Sequence, residues 1–282
     1  IYKMKNIFLL LFGHISSNVL ASGNTLRNLL FENYSKFQRP VLNYNESVKL
    51  EYGIEIYGLN YFNQKAERIQ FNLQITESWY DQYLVWNMSK YNYEFLDIET
   101  KRIWNPDVEL YNSGIKPFSF DNDNSRVKLH YDGHIVYNKF ITYSFSCMLE
   151  LHDFPYDKQT CYMLFGSWKH SKAQLDMKPF NASSIYKNIS IYRDFSHNEW
   201  NIVNTYVVHK DLEYLCCPGE LYPNTYFYIE LERDSMKYTI VILFTLFITF
   251  SGFAVSLIKI TNYKRTFVLV FIPLSIIWLQ IY

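Results

Sequence analysis

From Tyr238 to Ile258 the chain runs through 21 residues, YTIVILFTLFITFSGFAVSLI, without one charged side chain. In water such a stretch would need a core on every side. As a helix it reaches about 31 Å, which matches a hydrocarbon layer of about 30 Å. Residues 238–258 therefore read as a transmembrane helix, and what precedes them must fold in water. A second apolar run, residues 266–282, is short for a full crossing and reads as an incomplete or divergent transmembrane segment.

The other end carries an export signal. Lys3 and Lys5, the apolar run Ile7–Phe12 and the small-residue exit Val19-Leu20-Ala21 have the layout of a signal peptide over residues 1–21. With an exported N-terminus, the basic residues Lys259, Lys264 and Arg265 lie inside, as the positive-inside rule prefers. Export also permits disulfides. Four cysteines, Cys147, Cys161, Cys216 and Cys217, leave three connectivities open. N-x-S/T sites at Asn33, Asn45, Asn87, Asn181 and Asn188 suit an extracellular glycoprotein domain. The net charge of zero removes the electrostatic case for a nucleic-acid partner.

Between these ends the patterning is that of strands. In RIQFNLQIT, Ile69, Phe71, Leu73 and Ile75 alternate with polar residues, which predicts a half-buried strand. Asp132-Gly133 separates two alternating runs and predicts a two-residue hairpin. WNIVNTYVVH and NTYFYIELE predict two more strands. Only residues 25–40 begin with helical spacing, with Leu26, Leu29 and Leu30 on one face, before Arg39-Pro40 stops it. Many short strands behind one short helix predict one β domain over residues 22–237, a sandwich or barrel.

Two motifs stand out. Cys147 and Cys161 bound CMLELHDFPYDKQTC, and a bond between them would close a fifteen-residue loop worth about 3 kcal/mol. Inside it, Phe154-Pro155-Tyr156-Asp157 puts an apolar knob on a rigid bend. In DLEYLCCPGELYPN, the neighbours Cys216 and Cys217 stand between Tyr214 and Tyr222. The first loop resembles the signature of the Cys-loop, or pentameric, ligand-gated ion channels. LRNLLFENYSKFQRPV, ESWYDQYLVWN, IWNPDVELYN, FGSWKH and ERDSMKYT resemble further landmarks of that family, in order. The second motif is similar to loop C of nicotinic acetylcholine receptor α-type subunits. The resemblance is to such a subunit, truncated after the first transmembrane helix.

That resemblance implies a mainly β chain: an immunoglobulin-like antiparallel β-sandwich with an N-terminal helix, followed by one or two transmembrane helices. It implies the disulfides Cys147–Cys161 and Cys216–Cys217. It gives Tyr111, Trp168, Tyr214 and Tyr222 to the principal face of a ligand site, with Cys216 and Cys217 at its tip. It gives Trp79, with Val136 and Asn138, to the complementary face that serves a neighbouring subunit. Phe154, Pro155, Asp157 and Arg233 would couple binding to gating. The implied partners are a small cationic, acetylcholine-like neurotransmitter, homologous subunits in a pentamer, and a plasma membrane, with the ligand domain outside and at a synapse.

The chemistry agrees with such a ligand. A quaternary or tertiary ammonium offers few directional hydrogen bonds but is attracted to ring faces, at about 0.5–2 kcal/mol each. Micromolar affinity needs about 8 kcal/mol, so several rings must share the work. Neither a cofactor nor a metal is implied. His130 and His134 flank a turn and read as turn residues, and the chain lacks H-E-x-x-H, G-x-S-x-G and Gly-rich phosphate motifs, which argues against an enzyme.

Departures from the family pattern are visible too. Lys169 follows Trp168 where a small hydroxyl residue is usual, and YNSGIKPF lacks an acidic continuation. The apolar segment has no proline, and no Gly-Glu-Lys-like start of a second helix follows it. The alternative to a channel subunit is a non-conducting, membrane-tethered ligand-binding or modulatory chain.

Overall fold

The computed structural model describes residues 23–114, 117–119, 125–180 and 189–257. The expected signal peptide, the 266–282 segment and the sequons at Asn181 and Asn188 lie outside the described residues. Contacts divide the chain into two compact units. The larger holds the described residues of Ile1–Met148, Thr160–Ser196 and Asn204–Ile229, and the smaller those of Leu149–Gln159, His197–Val203 and Glu230–Tyr282.

A helix, α1, covers residues 23–31. Leu26 is fully buried on it, whereas Leu29, expected on the same face, is exposed. Next come β1 (Val48–Asn63), β2 (Arg68–Tyr80), the one-turn helix α2 (Met88–Tyr91), β3 (Phe95–Glu99), β4 (Val108–Leu110), β5 (Phe118–Ser119), β6 (Arg126–His130) and β7 (His134–Ser146). Then follow β8 (Lys158–Ser167), β9 (Leu175–Pro179), β10 (Ile189–Ile191), β11 (Trp200–Glu213), β12 (Leu221–Arg233) and α3 (Met236–Leu257). One sheet runs β10-β1-β2-β7-β6-β3, with β9 on β1 and β5 on β7. The other runs β11-β12-β8-β4. β8, β11 and β12 contribute residues to both units.

The alternation read in β2 is the alternation observed. Ile69, Phe71, Leu73 and Ile75 are at most 1% exposed, because successive strand residues point to opposite faces. In the larger unit an aromatic cluster joins the two sheets: the Tyr52 ring lies 5.2 Å from Phe165 and 5.8 Å from Phe227, and Tyr143 lies 5.6 Å from Phe165. Each such burial contributes about 1.5–3 kcal/mol. Cys147, just after β7, is bonded to Cys161 on β8, with Cα atoms 5.2 Å apart.

The β6–β7 hairpin differs from the expected two-residue form. Leu129 pairs with Ile135, so His130 and His134 stand opposite across Tyr131-Asp132-Gly133. Gly133 takes φ +84°, and a Cβ there would collide with the Asp81 carbonyl. A three-residue loop with glycine in the left-handed position accommodates both demands.

In the smaller unit, Arg233 is 3% exposed and bonds Asp157 through two nitrogens, Nε to Oδ1 at 2.7 Å and a terminal NH2 to Oδ2 at 3.1 Å. Its third contact is the Glu199 carboxylate. Trp200 packs 4.2 Å from the guanidinium, and Phe154 5.0 Å. Burial would lift the Asp157 carboxyl, but its bonds to Arg233 and Gln159 outweigh that and hold it below the ordinary value. α3 begins just beyond, where the Met236 N–H donates to Asp234 Oδ1 at 3.1 Å. Met236–Ala254 is long and apolar enough to cross a membrane, and Leu243, Phe244, Leu246, Phe247, Phe250 and Phe253 stand exposed on it.

Candidate ligand-binding site

Tyr111 follows β4 directly, and its N–H donates to the Leu164 carbonyl at 2.8 Å, which ties it to β8. Its hydroxyl donates to the Ser167 carbonyl at 2.6 Å. Trp168 comes immediately after β8, 77% exposed, with its ring 6.0 Å from Tyr111 and perpendicular to it. The turn that presents Trp168 is organised by Asp107. That carboxylate accepts from Ser167 Oγ at 2.7 Å, from the Lys169 N–H at 2.8 Å and from His170 Nδ1 at 2.7 Å. Burial would raise Asp107, but these bonds win and keep it ionised.

The hairpin of β11 and β12 brings the remaining rings. Tyr214 and Tyr222 lie 5.5 Å apart. Buried Asn224 serves both, accepting from the Tyr214 hydroxyl at 3.2 Å and donating to the Tyr222 carbonyl at 3.0 Å. The tip between them is a pair of turns, Cys217 N–H to Tyr214 O and Glu220 N–H to Cys217 O, with Gly219 at φ +85°. Tyr111, Ser167, Trp168, Tyr214, Cys216, Cys217 and Tyr222 line one open cavity of about 410 Å³. Among the described residues its walls carry neither lysine nor arginine. The Tyr111 and Tyr222 phenols are pushed upward, Tyr111 first by burial and Tyr222 first by its hydrogen bond with the Cys217 sulfur. At neutral pH Tyr111 and Tyr222 are therefore neutral phenols.

One sequence-derived expectation requires correction. Trp79 does not face a neighbour. It is 1% exposed and packs edge-to-face on Trp104 at 6.1 Å, because it shares the inward face of β2 with Phe71, Leu73 and Ile75. The outward face carries Gln70, Asn72, Gln74 and Thr76 instead, and Val136 opposite Ser78 is buried as well. Asn138 is exposed and accepts from Thr76 Oγ1 at 2.8 Å. Cys216 and Cys217 are unbonded in this structure, with sulfurs 2.8 Å apart. That gap exceeds an S–S bond of about 2.03 Å, and neighbouring Cα atoms across a trans peptide sit about 3.8 Å apart, below the usual disulfide range of about 4.4–6.8 Å. Lys169 does not line this cavity; it lines a separate pocket with Phe37, Arg39 and Tyr44.

The family described as the neurotransmitter-gated ion-channel ligand binding domain matches residues 24–235. The chain belongs to the Cys-loop ligand-gated ion channel family. Among its relatives are the neuronal acetylcholine receptor subunit alpha-4 of Gallus gallus, 30% identical over 81% of this chain and 36% of the relative. The alpha-3 subunit of Bos taurus is 30% identical over 84% and 47%, and that of Homo sapiens 31% over 75% and 41%. The chain thus spans less than half the length of these relatives. They are receptor subunits, which sets the chain apart from enzymes.

Sequence reasoning missed Asn224 and Asp107, the two residues that hold this Cys-loop family member's rings in place. It also passed over Gly166, where a Cβ would lie 2.8 Å from the Tyr111 hydroxyl and 2.9 Å from Asn224 Oδ1. The only available signal was that each sits within three residues of a ring in the chain or across a strand.

Proposed function

We propose that this chain is a subunit of a nicotinic acetylcholine-type cation channel that binds a quaternary or tertiary ammonium agonist between its aromatic rings. The observation that carries the reading is four aromatic side chains on one cavity whose walls hold no lysine or arginine among the described residues. Cation–π attraction is strongest where a ring face is desolvated, and Tyr111 and Tyr214 are both partly buried. In the proposal the cavity lies outside the cell, α3 anchors the chain in the plasma membrane of a synapse, and homologous subunits complete a pentamer. The neighbour's contribution to the cage does not come from a residue equivalent to Trp79. Phe154, Pro155, Asp157 and Arg233 pass the binding signal toward the membrane segment, and the cysteines at the tip close to a vicinal disulfide on export.

The test is binding of radiolabelled acetylcholine to membranes carrying the full chain, alone and with neuronal alpha-type subunits. Saturable binding that falls at least tenfold in Tyr222→Ala supports the reading, given the share each ring holds. Absence of saturable binding in every combination overturns it.

A further inference from the structure

We propose that Lys172 is a positioning residue that latches the hairpin carrying Tyr214 and Tyr222 onto the segment carrying Trp168, with His209 as its pH-dependent substitute. The proposal rests on the reading of the aromatic cavity as a ligand site. Lys172 stands four residues after Trp168. Its N–H donates to the Leu221 carbonyl at the start of β12, at 2.7 Å. Its Nζ pairs with Asp211 Oδ2 near the end of β11. One residue therefore grips both limbs of the hairpin, three residues from Tyr214 on one side and one from Tyr222 on the other. A clamp at that place fixes the separation between Trp168 and the tip, and an ordered site needs less rearrangement on binding.

His209 sits on the same carboxylate from the other side. Its Nε2 lies 3.5 Å from Asp211 Oδ1, and its Nδ1 contacts Thr225 Oγ1 at 3.2 Å. Neither Nε2 nor Asp211 Oδ1 has a hydrogen-bond partner among the described residues. The other charges facing the histidine are Asp176 and Lys178 on β9, with Lys49 of β1 paired to Asp176 at 2.9 Å. Burial first, and then the cations Lys172 and Lys178, keep His209 below its ordinary value, against the pull of Asp211 and Asp176. At neutral pH it is therefore neutral, and Lys172 alone neutralises Asp211. Removing the lysine charge removes one of the groups that depress the histidine. In Lys172→Met, His209 should take up a proton as pH falls and restore a cation on Asp211.

The experiment uses the full chain in membranes, with acetylcholine as a probe whose own charge does not titrate. Lys172→Met is expected to weaken binding about tenfold at pH 7.5, the scale of one charge-assisted contact, with most of the loss recovered at pH 5.5. Lys172→Arg should bind like the natural chain, and Lys172→Met/His209→Asn should show no recovery. Amide hydrogen exchange over residues 214–220 supplies a readout independent of ligand: it should speed up in Lys172→Met at pH 7.5 and slow again at pH 5.5. Unchanged exchange and unchanged affinity in Lys172→Met overturn the latch, as does a loss that acid does not reverse. Should the natural chain fail to bind the probe, the ligand reading falls, and the exchange data alone decide the latch.

Discussion

Trp168 is the residue at which binding and folding separate. Its ring is 77% exposed, so its removal takes little from the core. Trp168→Ala is expected to lower acetylcholine affinity about 2- to 30-fold, the range of one cation–π face, while the melting temperature moves within about 2 °C. Calorimetry beside a binding isotherm checks both. Asn224→Ala should do the opposite. It leaves every ring in place but strips the Tyr214 hydroxyl and the Tyr222 carbonyl of their shared partner inside a fully buried site. A stability loss of about 1–3 kcal/mol is expected in chemical denaturation. At the tip, the proposed Cys216–Cys217 bond predicts that alkylation labels neither sulfur before reduction and both after it. Reduced and alkylated chain should bind acetylcholine more weakly, and labelling of both cysteines without reductant would show that the tip functions as thiols.

At the level of elements, the strands were legible and their packing partners were not. Alternation in RIQFNLQIT identifies β2 and its inward face because a period of two has one physical cause. The same rule, applied one step further, would have placed Trp79 inward, since it continues the odd-numbered face. A resemblance of short motifs carries no such parity, and that is why the tryptophan was assigned outward. Lys172 was illegible for another reason: it reaches Asp211 across 39 residues, a pairing to which local pattern is blind, while Asn224 acts within its own hairpin and only the strand register turns it onto Tyr214. The buried ion pair shows the same. Arg233 was expected to couple binding to gating, but its bonds to both Asp157 and Glu199 depend on the fold. Arg233→Met would leave Asp157 without its cation and is expected to cost about 3–5 kcal/mol. The pH dependence has a definite sign. Asp157 is held below its ordinary value, so its contribution is complete above the unfolded carboxyl's pKa of about 3.9 and disappears as pH falls through the lower folded value. The natural chain should lose this part of its stability only in acid, and Asp157→Asn should flatten that limb of a stability–pH curve.

On the scale of the whole molecule, the chain carries a β-sandwich and an apolar helix, and each was announced by its own composition. The sequons at Asn33, Asn45 and Asn87 stand exposed. With the ligand domain outside, enzymatic removal of N-glycans should shift the apparent mass, and Asn→Gln changes at these positions should each remove one step. The account turns on one claim, that the cavity of Tyr111, Trp168, Tyr214 and Tyr222 recognises positive charge through ring faces. The most direct measurement compares acetylcholine with its uncharged carbon isostere, 3,3-dimethylbutyl acetate, on the natural chain and on Trp168→Ala. The account predicts that the cation binds at least tenfold tighter than the isostere, and that the gap narrows in Trp168→Ala. Equal affinity for the two compounds on the natural chain would contradict it.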